Sequence, residues 1–226
     1  MKRRIGDVDL PELTAFVGDL EPDGDYDALE LRDLDLSHQS AENARFLDCR
    51  LVACVLDDAA LSHAQITDSV LTEVRAVTLD AIDSAWRDVA VTGARLGAVT
   101  AYGAQLTRVR ITGGKLDYVN LRDGALTDVV IEDCTIGELD LVGARLTRVS
   151  LDRCRVGQLD VMHATLDRFD LRGAELAELR GLGDLRGAII TPAQLTDLAP
   201  ALATHAGLTV CEQDQESYPP GPMETT

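Results

Sequence analysis

Aromatic side chains make up only 4 % of this 226-residue chain, with a single Trp. Any core must therefore be built from slender aliphatic side chains, of which a 46 % hydrophobic content supplies enough for one domain. Bases are also scarce, 21 Lys and Arg against 39 Asp and Glu, for a net charge of −18. Because a phosphate backbone is met by Lys and Arg, this excludes direct nucleic-acid binding but leaves room for a partner that itself binds DNA. No segment approaches the roughly 18 consecutive apolar residues of a membrane span, and no signal-type apolar stretch follows Arg4. The expectation is a cytoplasmic protein with no membrane partner. The five cysteines are odd in number and match no zinc or redox spacing, which suits free thiols in a reducing compartment.

What is present is a beat of five. Every fifth residue from Leu31 to Leu176, thirty positions in all, is apolar. At the chain's mean hydrophobic content such a run has a chance probability on the order of 10⁻¹⁰. A period of five fits neither a strand nor a helix. Two residues before each of these centres runs a second series. From Val89 to Leu179 it alternates large and small without exception, as in Val89, Ala94, Val99, Ala104, Val109 and Gly114. The full unit is thus ten residues, with opposite sides of a coil matching and neighbouring sides contrasting, which is the geometry of a square.

The triplets Ala94-Arg95-Leu96, Ala144-Arg145-Leu146 and Ala174-Glu175-Leu176 carry the pattern in its clearest form. Here the sequence resembles the pentapeptide repeat proteins. The resemblance implies an all-β solenoid, a right-handed quadrilateral β-helix with four pentapeptides per coil and two inward positions per repeat. On that reading the repeats make about seven and a half coils and a rod roughly 36 Å long. The consensus Asp or Asn, one before the centre, occurs at Asp35, Asp80, Asn120, Asp140, Asp160 and Asp170, and is expected to face outward. Ala76, Ala81 and Trp86 fall in one coil, so the Trp ring is expected to fill the volume the two alanines vacate.

Four segments are expected: an irregular cap over residues 1–25, in which Pro11 to Leu20 form a helical turn or an irregular stretch; the β-helix over 26–180; a helical cap or dimerisation segment over 181–210; and a disordered tail over 211–226. The third begins where Gly181 to Gly187 break the register. Thr191 as N-cap, Pro192 and Gln194 start a helix that stops at Gly207 and is kinked or divided at Pro200. Leu195, Leu198 and Leu202 share its face and are assigned to capping, to dimerisation, or to both.

Candidate chemistry is thin. Cys49, Cys54, Cys134 and Cys154 occupy the small inward position and read as buried hydrophobes, while Cys211 lies outside the repeat. Cys134 and Cys154 should stack at strand spacing, too far apart for a disulfide. His38, His63 and His163 sit on exposed corners, and Ser37-His38 and Ser62-His63 lack an orienting acid. Gly181-Leu182-Gly183 lacks the context of a dinucleotide fingerprint. No catalytic group, metal site or cofactor is expected, and the chain is read as a non-enzyme.

The constellation that stands out is acidic. Two after the centre, one stacked column reads Asp48, Asp68, Asp88, Arg108, Asp128, Arg148, Arg168. Three successive Asp at coil spacing repel one another, a cost that the fold itself does not explain. Asp57, Asp58 and Asp83 belong to the same half of the rod, whereas residues 91 to 115 hold four bases and no acid. Resemblance to the MfpA and Qnr group of pentapeptide repeat proteins implies a DNA mimic that binds DNA gyrase or topoisomerase IV and protects them from fluoroquinolones or other poisons. The lack of projecting loops and the ending Leu195 to Gly207 are more similar to MfpA, and imply a homodimer. Duplex DNA would carry about 21 charges over such a length, against −7 over residues 31–180, so one face alone could imitate it. The competing reading is a scaffold for some other protein, with the acids serving solubility.

Overall fold

The computed structural model describes residues 5–210. Residues 211–226, including the expected disordered tail and Cys211, lie outside the described residues. The chain winds as a parallel β-solenoid in which residue i pairs with i + 20 on the next coil. Tyr26 pairs with Phe46, Phe46 with Ile66, Ile66 with Trp86, and Trp86 with Leu106, and a second face runs from Leu31 through Leu51, Leu71, Val91 and Ile111.

The sequence accounts for the winding. Each centre, and the residue two before it, points to the axis, and the chain turns between them. All thirty centres are buried or half-buried. The residue two after the centre makes the turn with positive φ, as in Asp48 (52°), Asp68 (47°) and Asp88 (54°). Of the 21 non-glycine residues with positive φ among the described residues, ten are Asp. Asp tolerates that conformation because its short polar side chain bonds locally, so its abundance at the corners has a conformational cause.

One corner changes along the rod. His38 and Asp58 turn there with positive φ. Beyond them the chain passes the same corner inside continuous strands, Arg75–Asp80, Arg95–Thr100, Lys115–Asn120 and Thr135–Asp140.

The inward small positions behave as buried hydrophobes. Four cysteines are free thiols at 0–2 % exposure, with Cys49 donating to the Tyr26 and Leu47 carbonyls. Burial pushes the Cys49 and Cys54 thiols up. Ser69 and Ser84, wholly buried, satisfy their hydroxyls on the Thr67 and Ala81 carbonyls.

Two expectations need correction. Trp86 fills the volume beside its alanines only in part: its half-buried ring packs against the core and its indole N–H donates to Ser84 Oγ at 2.9 Å, but an axial space of about 110 Å³ remains beside Ala81. Nor do the consensus acids all face outward. Asp140 and Asp160 are 1 % and 4 % exposed, because each folds back to accept the amide two residues on, Val142 at 3.2 Å and Met162 at 3.0 Å.

The ends close differently. Residues 11–20 form no helix: Thr14–Ala15 is a short strand beside Leu29–Arg32, paired at an offset of fifteen rather than twenty. Phe16 packs edge-on to Tyr26, which stacks on Phe46 at 4.7 Å, so three of the few aromatic rings cover the first coil. At the other end a 3-10 turn, Leu182–Asp184, leads to helix α1, Pro192–His205. Thr191 and Gln194 form a reciprocal capping box, and the helix continues through Pro200 as one element rather than two.

Candidate functional site

The acidic column is assembled as the spacing requires. Asp48, Asp68 and Asp88 occupy one corner on successive coils, each backbone amide tied to the next coil, at Thr67, Arg87 and Thr107, at 3.0–3.1 Å. Such a corner holds its side chains at a fixed spacing of about 4.8 Å. The other three candidates are elsewhere. Asp58 lies ten residues on, at the opposite corner, and Asp83 sits at a third. Asp57 accepts the Val77 amide at 2.6 Å, and Asp58 bonds Thr78 Oγ1 and lies 3.4 Å from His38 Nδ1. The six acids therefore do not form one face.

Two bases of the column, Arg108 and Arg148, are matched to its acids, and Arg168 meets Asp167 at 3.5 Å. Arg108 grips Asp88 through Nε at 2.6 Å and a second bond from Nη2, and Arg148 grips Asp128 at 2.5 and 2.8 Å. At the neighbouring corner Arg153 does the same to Asp133, at 2.7 and 2.9 Å. Each Arg follows its Asp by twenty residues. Hydrogen bonding to these carboxylates holds the three guanidiniums even further above neutrality than usual. Asp88 is thus internally neutralised.

Two acidic elements escaped sequence reasoning. Along the rod's length Asp80, Asn120, Asp140 and Asp160 share one column, with Arg122 Nε 2.6 Å from Asp140 and Glu138 receiving Gln158 Nε2 at 3.0 Å. Carboxylates of this column therefore continue into the C-terminal half, where Asp140 and Asp160 are buried and Asp140 is paired with Arg122. The signal was a twenty-residue recurrence of the consensus position, visible once the coil length is fixed.

The second element is the N-terminal segment, which is more than a cap. The Ile5 carbonyl accepts Arg110 Nε at 2.7 Å, while Thr14–Ala15 pairs with the first coil, so residues 5–13 run back along the outside of one face for four coils. Ile5, Val8, Leu10 and Leu13 are half-buried, while Asp7, Asp9 and Glu12 are exposed. The segment turns its apolar side to the rod and its acids to solvent, on the face adjoining the Asp48–Asp68–Asp88 corner. Arg110 is in turn held by Glu132 at 2.5 Å, both under 20 % exposed.

On α1, Leu198 and Leu202 are half-buried and Leu195 is 51 % exposed. Gln194 Nε2 anchors the helix by donating to the Leu171 and Ala174 carbonyls, at 2.7 and 2.9 Å. Among the described residues no group of three or more His, Cys, Asp or Glu is arranged to hold a metal, and no helix is long and apolar enough to cross a membrane.

No family model and no curated protein matches the chain. Among solved structures it is similar to HetL, a pentapeptide repeat protein involved in heterocyst differentiation regulation from the cyanobacterium Nostoc sp., at 18 % identity and a TM-score of 0.33, over 74 % of this chain and 90 % of that one. It is also similar to full-length QnrB1, a plasmid-mediated fluoroquinolone resistance protein, at 14 % identity and a TM-score of 0.26, over 79 % of this chain and 99 % of QnrB1.

Proposed function

We propose that this chain is a non-enzymatic binding rod whose acidic corner docks in the DNA-binding saddle of a type II topoisomerase, DNA gyrase or topoisomerase IV, and protects it from fluoroquinolones or other poisons. The observation that carries the reading is the column Asp48, Asp68, Asp88, fixed on successive coils of a rod without projecting loops, beside a surface segment that adds Asp7, Asp9 and Glu12. A rigid row of carboxylates at coil spacing offers a basic saddle one negative edge. The same reading makes α1 the dimer contact through Leu195, Leu198 and Leu202, as in MfpA.

The test is a gyrase supercoiling assay with and without a fluoroquinolone. Wild type should inhibit supercoiling and protect against the drug, and the triple reversal Asp48→Lys, Asp68→Lys, Asp88→Lys should do neither while remaining folded. Equal inhibition by the triple variant would sink the idea. The Arg108–Asp88 and Arg148–Asp128 pairs favour a second reading, a scaffold for another protein, because they neutralise carboxylates that a DNA mimic would display.

A further inference from the structure

The interior of the rod is not filled along its whole length. Between the coil of Phe46 and that of Leu121 runs a space of about 110 Å³ along the axis, bounded at the N-terminal end by Leu20. Its origin is in the sequence: the centres Ala81 and Ala101 carry a methyl group where their stacked neighbours Leu61 and Leu121 carry a full side chain. Trp86, whose indole N–H bonds Ser84 Oγ, lines the space without filling it. A close-packed interior leaves few voids larger than a water molecule, and a volume on the order of 100 Å³ is the scale at which an engineered cavity takes up a small apolar guest.

The chemistry of the walls selects the guest. Every lining side chain is aliphatic or aromatic, so neither water nor a polar ligand finds a hydrogen-bond partner there. The space is drawn out along the axis, which suits a linear molecule better than a disc. Leu20 belongs to the short non-strand stretch that covers the first coil, held by Gln39 Oε1 on its own amide at 2.7 Å and by the Tyr26 hydroxyl on the Glu21 amide at 2.7 Å.

We propose that the axis of the rod is a binding site for a small unbranched apolar molecule of the size of a short alkane, with Leu20 at its mouth. The site is independent of the acidic corner and of any topoisomerase. Xenon and n-pentane are the probes. In ¹²⁹Xe NMR the intact protein should give a saturable, concentration-dependent shift that n-pentane competes away, and n-pentane should raise the melting temperature by a few degrees. Ala81→Leu and Ala101→Leu, which fill the space, should abolish both responses. A wild type that neither shifts xenon nor is stabilised by n-pentane would overturn the proposal, as would folded filled variants that respond undiminished. Should both leucine variants fail to fold by circular dichroism, Ala101→Val and the xenon–pentane competition on wild type decide between the same two outcomes.

Discussion

Arg108 and Asp88 stand one coil apart on the same corner and share two hydrogen bonds, so the third acid of the column is answered by its first base. Both side chains are partly exposed, which limits the pair's contribution to stability to about 1 kcal/mol. Its larger effect is on the field that a partner meets. Arg108→Ala should leave the melting temperature within about 4 °C of wild type and lower the concentration needed to inhibit gyrase supercoiling. A weaker inhibitor of unchanged stability would remove Asp88 from the docking surface.

Leu106 is stacked between Trp86 and Leu126 and is 7 % exposed. Leu106→Asp strands a carboxylate among aliphatic side chains, a loss above about 4 kcal/mol. The variant should lose its β circular dichroism at temperatures where wild type keeps it, and an unchanged melting temperature would refute the inward assignment.

The fastening of the N-terminal segment is acid-sensitive. Glu132 is held below the usual carboxylate range chiefly by the hydrogen bond from Arg110, with Thr112 and Arg153 also lowering it against the opposing effect of burial. A carboxyl with a folded pKa below its unfolded value contributes stability that is fully present above the unfolded value, about 4.3, and is lost as pH falls through the folded one. The Gly6 amide resonance, beside Arg110, should therefore be constant from pH 7 to about 5 and move toward its free-chain position below that. In Glu132→Gln the acid step should disappear. Persistence of the same step would place the titrating group elsewhere.

Gly181 ends the repeats with φ of 84°, and a Cβ there would meet the Met162 amide nitrogen at 2.5 Å. Conformation and contact both forbid a side chain, so Gly181→Ala should cost about 2 kcal/mol, read as a lower denaturant midpoint.

Truncation before Thr191 removes the capping box and the Gln194 bonds to Leu171 and Ala174. If α1 makes the dimer contact, the shortened chain should elute as a monomer or aggregate in size-exclusion chromatography. A well-behaved dimer would exclude α1 from that role.

Coil length, the inward series and the capping box of α1 were legible because each repeats a local rule: one apolar centre every five residues, one Thr followed by Gln. The acidic column was half legible. Its stacking follows from the period, but the Asp at each corner is read from the sequence only as functional or solubilising, whereas positive φ gives it a conformational reason as well. Asp88 to Arg108 and Asp128 to Arg148 are twenty apart, so the pairs could have been found by asking which base lies one coil beyond each acid. The buried state of Asp140 and Asp160 was not legible, because whether a corner carboxylate swings outward or folds back on its own turn depends on the neighbouring coil. Nor was the path of residues 5–13, whose apolar positions at 5, 8, 10 and 13 follow no fixed period. Their partner face is defined only when distant coils are stacked.

That segment also sets an order of events in synthesis. Ile5 is made before Arg110, whose Nε donates the hydrogen bond that fastens it and which follows 105 residues later. At a translation rate of about 5 to 20 residues per second, Ile5 waits roughly 5 to 20 s before its docking face exists. The coils that carry Arg110 must therefore be made before the segment can be fastened, although the segment itself is made earlier.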